Sequence, residues 1–191
     1  MRELKYFVAA SIDGFIAAVD GSFDGFVMDG PHLADLFAEM PETVPGHFRA
    51  PLGLEGAENR VFDTVLMGRT TWEVGARHGI VSPYPHLRQI VVSSSLATNP
   101  DPGVEVVTSD PLGAVRALKA EPGGALWLCG GGRLAAALAP EIDEIILKVN
   151  PLVLGDGVPL FGDGAGQLRL GLTGAKSYDN GVTVARYRPR R

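Results

Sequence analysis

Short apolar runs alternate along this chain with segments whose apolar residues recur about every three to four positions, and that alternation organises the whole sequence. Leu4 to Ala10 is an apolar run ending in small residues, the pattern of a strand buried on both faces. Val65–Met67, Ile90–Val92, Val104–Val107, Ala125–Cys129 and Ile142–Val149 predict further strands, and Leu168–Ala175 and Val182–Tyr187 a final pair. Helices are expected between them. Pro31 opens one that carries Leu33, Leu36, Phe37 and Met40; Thr70 to Glu73 opens another with capping-box spacing; Asp110-Pro111 starts a third through Lys119; Arg133–Leu138 is a fourth. The pattern predicts an α/β fold: a mostly parallel central sheet flanked by helices, with an antiparallel hairpin at the C-terminus. Two stretches fit neither period. Pro41 to Gly53 reads as an irregular interruption. Ser11 to Gly30 holds Gly14, Gly21, Gly25 and Gly30, too many permissive positions for a helix, and reads as a long mobile loop able to close over a ligand.

Composition narrows the classes. A chain of 191 residues, 46% hydrophobic and 20% charged, buries one sizeable core and predicts a single domain over residues 1–191. At a net charge of −5, nucleic acid would need a local basic patch. The cluster Arg186, Arg188, Arg190 and Arg191 lies among Val182, Val184 and Tyr187, so it reads as the solvated face of a terminal strand with a frayed tail, and no nucleic-acid partner is expected. Cys129 is the single cysteine, inside an apolar run, so it reads as a buried thiol. His32, His47, His78 and His86 lack the close spacing of a zinc site, and no metal is expected. No apolar stretch reaches membrane length and no signal-peptide pattern opens the chain, which leads to the expectation of a cytoplasmic protein without a membrane partner.

In a parallel sheet with helical crossovers, ligands bind where the carboxyl ends of the strands collect. Three unusual sequences fall at such ends. Cys129-Gly130-Gly131-Gly132-Arg133 strips side chains from a strand-to-helix turn, so an anion such as a pyrophosphate can approach bare N–H groups; a tight turn alone needs only one or two glycines. Gly68-Arg69-Thr70-Thr71 adds a planar charged fork and hydroxyls that suit phosphate oxygens, against capping alone by Thr70 and Glu73. Ser93-Ser94-Ser95 places hydroxyls where an acidic residue would hold the ribose of a cofactor lacking the 2′-phosphate, which leans toward NADPH; an ordinary polar loop is the plainer alternative.

Val65–Glu73, Ile90–Ser94 and Leu126–Leu134 resemble the dihydrofolate reductases in order and placement. Ser11–Ala17 and Pro151–Phe161 resemble more closely the reductase domain of the bifunctional riboflavin-biosynthesis deaminase-reductase, with no deaminase region preceding it here. The resemblance implies a dihydrofolate reductase-like fold. It also implies that Ala10 and Ile16 flank a nicotinamide, that Arg69, Thr70 and Thr71 beside Gly68 meet phosphates, and that Ser93 and Ser94 sit at the 2′-phosphate. Cys129, Gly130, Gly131, Gly132, Arg133 and Leu134 would cradle the pyrophosphate, with Gly157 in a loop closing beside the cofactor. Asp35 matches the carboxylate on the first helix of folate enzymes, with an exposed helix residue as the alternative. Asp13 is a second candidate, with a turn-forming side chain bonded to its own backbone as the alternative. Glu39 and Leu147 depart from the folate pattern.

These readings combine into an NADPH-dependent reductase of a small heterocyclic substrate of the pteridine or riboflavin-pathway pyrimidine type. Asp35 or Asp13 would assist protonation, and a homodimer is an option. The alternatives are a non-catalytic NADPH sensor, folate reduction itself, and a phosphotransferase; the absence of a G-x-x-x-x-G-K-[ST] motif argues against the last.

Overall fold

The computed structural model describes residues 1–96, 99 and 101–190. Eight strands form one sheet: β1 (Leu4–Ala10), β3 (Phe62–Gly68), β4 (Arg88–Val92), β5 (Val104–Val107), β6 (Ala125–Gly130), β7 (Glu144–Val149), β9 (Leu170–Ser177) and β10 (Thr183–Pro189). Their order across the sheet is β5-β4-β3-β6-β1-β7-β10-β9. Pairs from β5 through β7 are parallel, while β10 runs antiparallel to both β7 and β9. The expected C-terminal hairpin is therefore β9–β10. Two further strands, β2 (Phe15–Ala17) and β8 (Val158–Pro159), pair antiparallel outside the main sheet.

Helices α1 (Pro31–Glu39), α2 (Gly46–Arg49), α3 (Arg69–Ala76), α4 (Pro111–Ala120) and α5 (Gly132–Leu138) fill the connections. The central strands are mostly apolar because both faces are covered. Leu66, Ile90, Leu126, Leu128 and Ile145 pack with Val115, Leu118, Leu134 and Leu138 of α4 and α5. The alternate positions Val65, Met67, Val91, Trp127 and Ile146 pack with Leu36 of α1 and Trp72 of α3. Trp127 anchors that second layer: Phe62 stacks at 5.9 Å and Tyr84 meets it edge-on at 4.9 Å, and its indole N–H donates to the Phe7 carbonyl at 3.1 Å. The pairing of polar handle and apolar body lets so large a ring be buried without an orphaned donor.

Two sequence expectations are corrected and a third, the break after the first helix, gains detail. Ser11 to Gly30 is not all loop, since Phe15–Ala17 is a strand whose partner comes from far along the chain and leaves no local period to read. Pro41 to Gly53 contains a 3-10 turn at Pro41–Thr43 and the single turn α2. The capping box at Thr70 is absent: the N-cap of α3 is Gly68, without a side-chain cap, and Glu73 is drawn instead to Arg69, whose Nε donates to its carboxylate at 2.6 Å. A charge-assisted bond one turn away outcompetes a neutral backbone contact. At the other end, Arg186 pairs with Glu39 and Arg188 with Glu3, so these two arginines are met by carboxylates; Arg191 lies outside the described residues. Among the described residues no helix is long and apolar enough to cross a membrane.

Candidate active site

At the carboxyl edge of the sheet, β3 ends at Gly68 and β6 at Gly130, and each passes directly into a helix. Neither α3, capped by Gly68, nor α5, capped by Gly131, has a side chain bonded to its first amides. Those N–H groups have no partner within their own helices either. The two corners touch. A Cβ on Gly68 would stand 3.4 Å from the Gly131 nitrogen and 3.8 Å from Leu134 Cβ. Around Gly130 and Gly131 the space is open apart from Thr71 Oγ1, 3.6 and 3.4 Å from the respective Cβ positions, and Ile16 Cδ1, 3.9 Å from the second. The Gly130–Gly131 peptide is cis. The result is a bare-backbone cradle walled by a hydroxyl and a methyl group, which fits the diphosphate of a dinucleotide.

Gly132 and Gly157 are glycines for a different reason. A Cβ on Gly132 would collide with the Pro159 carbonyl, and one on Gly157 with the Ala17 carbonyl, so both allow chain segments to pack rather than a ligand to approach. Gly162 N donates to the Gly132 carbonyl at 2.8 Å and packs on the backbone of Arg133, whose own side chain is exposed. Tyr6 donates its hydroxyl to the Leu160 carbonyl at 2.8 Å. The segment from Pro151 to Gly162 is thereby strapped across the Gly132 corner, and pairing of β2 with β8 brings Ile16 over it.

Asp13 fastens the same strap. Its carboxylate accepts the amides of Leu154 at 3.1 Å and Gly155 at 2.7 Å, so it bonds to the far segment as well as within its own turn. The Ser11 hydroxyl and then those amides hold its pKa below the usual carboxylate value. Asp35, half-exposed on α1, accepts Lys176 at 2.5 Å and the Tyr178 hydroxyl at 2.8 Å, and both partners hold its carboxyl low. It lines an open cleft of about 550 Å³ between α1 and the β9–β10 pair. Both carboxylates are acceptors: Asp13 uses both of its oxygens, whereas Asp35 takes both of its donors on Oδ2.

Arg69 leaves the glycine corner and turns to the serines. Its NH1 donates to Ser95 Oγ at 2.6 Å, and Ser93 Oγ lies 3.4 Å from that hydroxyl. Ser93 also accepts the Leu96 amide at 3.1 Å and so holds its own turn, while Ser94 and Thr70 are exposed. Arginine and serines thus form one cluster at the end of β4. Ala10 is buried, its carbonyl accepting from the Asn150 backbone and side chain at 2.8 and 3.2 Å. Cys129 packs with the Trp127 layer, and burial pushes its thiol up to about 12, the value of an inert group rather than a nucleophile.

One polar group of the edge escaped the sequence reading. Lys148 and Asn150 flank the end of β7, and His32 begins α1; all three are buried. Asn150 Oδ1 accepts the Val27 amide at 3.0 Å, and Lys148 Nζ donates to the Val27 carbonyl at 3.1 Å. The signal was a lysine inside the otherwise apolar run Ile145 to Val149.

Known proteins agree with this architecture. The dihydrofolate reductase of Enterococcus faecalis complexed with NADP(H) and RAB-propyl superposes with a TM-score of 0.67 at 18% identity, over 99% of this chain and 97% of that one. The diaminohydroxyphosphoribosylaminopyrimidine deaminase/5-amino-6-(5-phosphoribosylamino)uracil reductase of Thermotoga maritima gives 0.66 at 16% identity, over 99% of this chain and 57% of its own. Both likenesses establish a dihydrofolate reductase-like fold. In sequence, the chain is 30% identical over 185 residues to the uncharacterized protein YwjB of Bacillus subtilis (strain 168), covering 96% of each. The family model of the RibD C-terminal domain matches residues 2–184, and the chain belongs to that family.

Proposed function

We propose that this protein is an NADPH-dependent reductase of a small heterocycle of the riboflavin-pathway pyrimidine type, acting as one unit over residues 1–191. The observation that carries the reading is the meeting of two uncapped helix starts at Gly68 and Gly130–Gly131. Two converging sets of free amides with no side chain between them make a site for a multiply charged anion. The fold shared with an NADP(H)-bound reductase and the family membership support it.

In this reading the Gly130 and Gly131 amides and the Thr71 hydroxyl hold the diphosphate, while Arg69 with Ser94 and Ser95 receives the 2′-phosphate. Ile16 and Ala10 form the walls at the nicotinamide. When bound, NADPH supplies a hydride to an electrophilic carbon of the substrate. The strap from Pro151 to Gly162 and the paired segment from Ser11 to Ala17 exclude water above that point. Asp13 holds the strap, and Asp35 orients Lys176 and Tyr178 at the neighbouring cleft. A sensor that binds NADPH without turnover is the second reading, favoured by the engagement of both carboxylates; oxidation of NADPH in the presence of a ribosylaminopyrimidine separates the two.

Titrating NADPH fluorescence with the intact protein tests the proposal. Saturable binding is expected, weakened about a hundredfold by Gly131→Asp, because a carboxylate would fill the cradle and repel the diphosphate. Arg69→Ala should narrow the preference for NADPH over NADH by about tenfold. Absence of saturable binding, or binding indifferent to Gly131→Asp, overturns it.

A further inference from the structure

Lys148 and His32 are two buried nitrogen donors, and the architecture gives them almost nothing to bond. Lys148 is 6% exposed, and its only acceptor among the described residues is the Val27 carbonyl; no carboxylate there lies within ion-pair distance. Burial holds its pKa below the usual lysine value. His32 is fully buried, and Nδ1 faces the Asn180 amide nitrogen at 3.0 Å. An amide NH₂ can only donate, so Nδ1 accepts and, in the neutral ring, Nε2 carries the proton. That Nε2 makes no hydrogen bond. The Val27 carbonyl is near enough to the ring to favour its protonated form, without completing a bond to Nε2. Lys148 also lies near enough to depress the His32 pKa, second to burial. An N–H left unpaired in a protein interior costs free energy that a structural site would avoid.

The place of the pair gives it meaning. Lys148 is in register with Ala9, one residue before Ala10, and Asn150 ties the Ala10 carbonyl to Val27. The donors therefore lie beside the end of β1 assigned to the nicotinamide. The Val27 carbonyl that Lys148 bonds and that lies near the His32 ring belongs to the segment from Ser11 to Gly30, whose Phe26 side chain is buried. We propose that Lys148 and His32 form a donor subsite for an electron-rich oxygen of the substrate, and that the Val27 carbonyl holds its place until the substrate arrives. The oxygen is a ring carbonyl or a phosphate oxygen. The inference rests on the reductase reading and deepens it: the substrate presents an acceptor oxygen close to the carbon that receives the hydride.

Binding is measured by equilibrium dialysis with saturating NADP⁺, using 5-amino-6-(5-phosphoribosylamino)uracil and its dephosphorylated form as probes. Lys148→Met should weaken binding by about tenfold or more. It should leave NADPH affinity unchanged and the melting temperature equal or higher, because an unpaired buried charge is replaced by a side chain of similar length. Equal weakening of both probes assigns the oxygen to the ring; weakening of the phosphorylated probe alone assigns it to the phosphate. Lys148→Gln should show the same loss, should Lys148→Met not fold. Unchanged probe affinity in either variant overturns the inference, as does a wild-type protein that binds NADPH and neither probe. A fall in melting temperature together with unchanged probe affinity would make Lys148 a structural brace. Failure of NADPH itself to bind the wild type would instead strike the reductase reading.

Discussion

The two edges of the sheet treat charge in opposite ways. At the amino edge, where the parallel strands begin, the Arg2 side chain is 4% exposed and paired with Asp63, with a second carboxylate from Glu121 at 3.7 Å. Its guanidinium also donates to the Gly124 carbonyl at 2.7 Å and to Thr64 at 2.9 Å. Lys119, 5% exposed, meets Asp143 at 2.6 Å and Glu141 at 3.5 Å. Arg88 bridges Glu105 and Glu121. At the carboxyl edge, Lys148 is as deeply buried and has one carbonyl, two helix starts are uncapped, and His32 keeps an unpaired nitrogen. Paired charges hold the fold at one end; at the other, Lys148, His32 and the two helix starts have few partners among the described residues. A fold that leaves donors bare gives up stability there, a common cost of a binding site.

The sharpest way to break this contrast is Arg2→Met, which removes the guanidinium that Asp63, Glu121, Thr64 and the Gly124 carbonyl share. It should cost about 3 kcal/mol in urea unfolding while leaving NADPH affinity unchanged. An equal loss of NADPH binding would show that the two edges are not independent. A smaller effect is expected from Asp13→Ala, which frees the Leu154 and Gly155 amides. Hydrogen exchange should quicken across residues 151–162 and the melting temperature should drop slightly, with the amino edge unaffected; protection that stays constant would remove Asp13 from the strap. The smallest effect is on pH dependence. Burial first of all keeps the folded pKa of His32 below its ordinary value, and His86 behaves likewise. The unfolded chain therefore takes up protons first. The stability involved is complete above about pH 6.5 and is lost as pH falls from there toward the depressed folded values. Glu3, Glu105 and Glu141, held low chiefly by Arg188, Arg88 and Arg116, lose their contribution only as pH drops below the ordinary glutamate range through their folded values. Calorimetry across pH should show the histidine step partly removed in His32→Gln and the acidic step intact. Superimposable curves would mean His32 is not desolvated in solution.

Much of this was legible in the sequence because it is local. Strands buried in the middle of the sheet write short apolar runs, which marked the six parallel strands, while the antiparallel pair at the end showed a weaker pattern. The glycines of the corner announced a backbone approach, though only the structure separates Gly130 and Gly131, which face open space, from Gly132 and Gly157, which face carbonyls. What escaped was long-range. β2 and β8 are too short to show a period and exist through each other. Asp13 has the look of a local turn residue and acts across the fold. Arg69 was expected at the phosphates, and its direction toward the serine cluster follows from Glu73 and Ser95, which no motif position reveals.

The stitching of the first loop to the late strap has a kinetic meaning. Ile12 donates to the Leu152 carbonyl and Leu160 to the Gly14 carbonyl, each at 2.8 Å, on either side of the Asp13 contacts. Residues 11–17 and 151–162 are thus stitched into one unit along several bonds. On the proposed reductase reading, a substitution near Leu160 should register in turnover as though it lay beside Ser11.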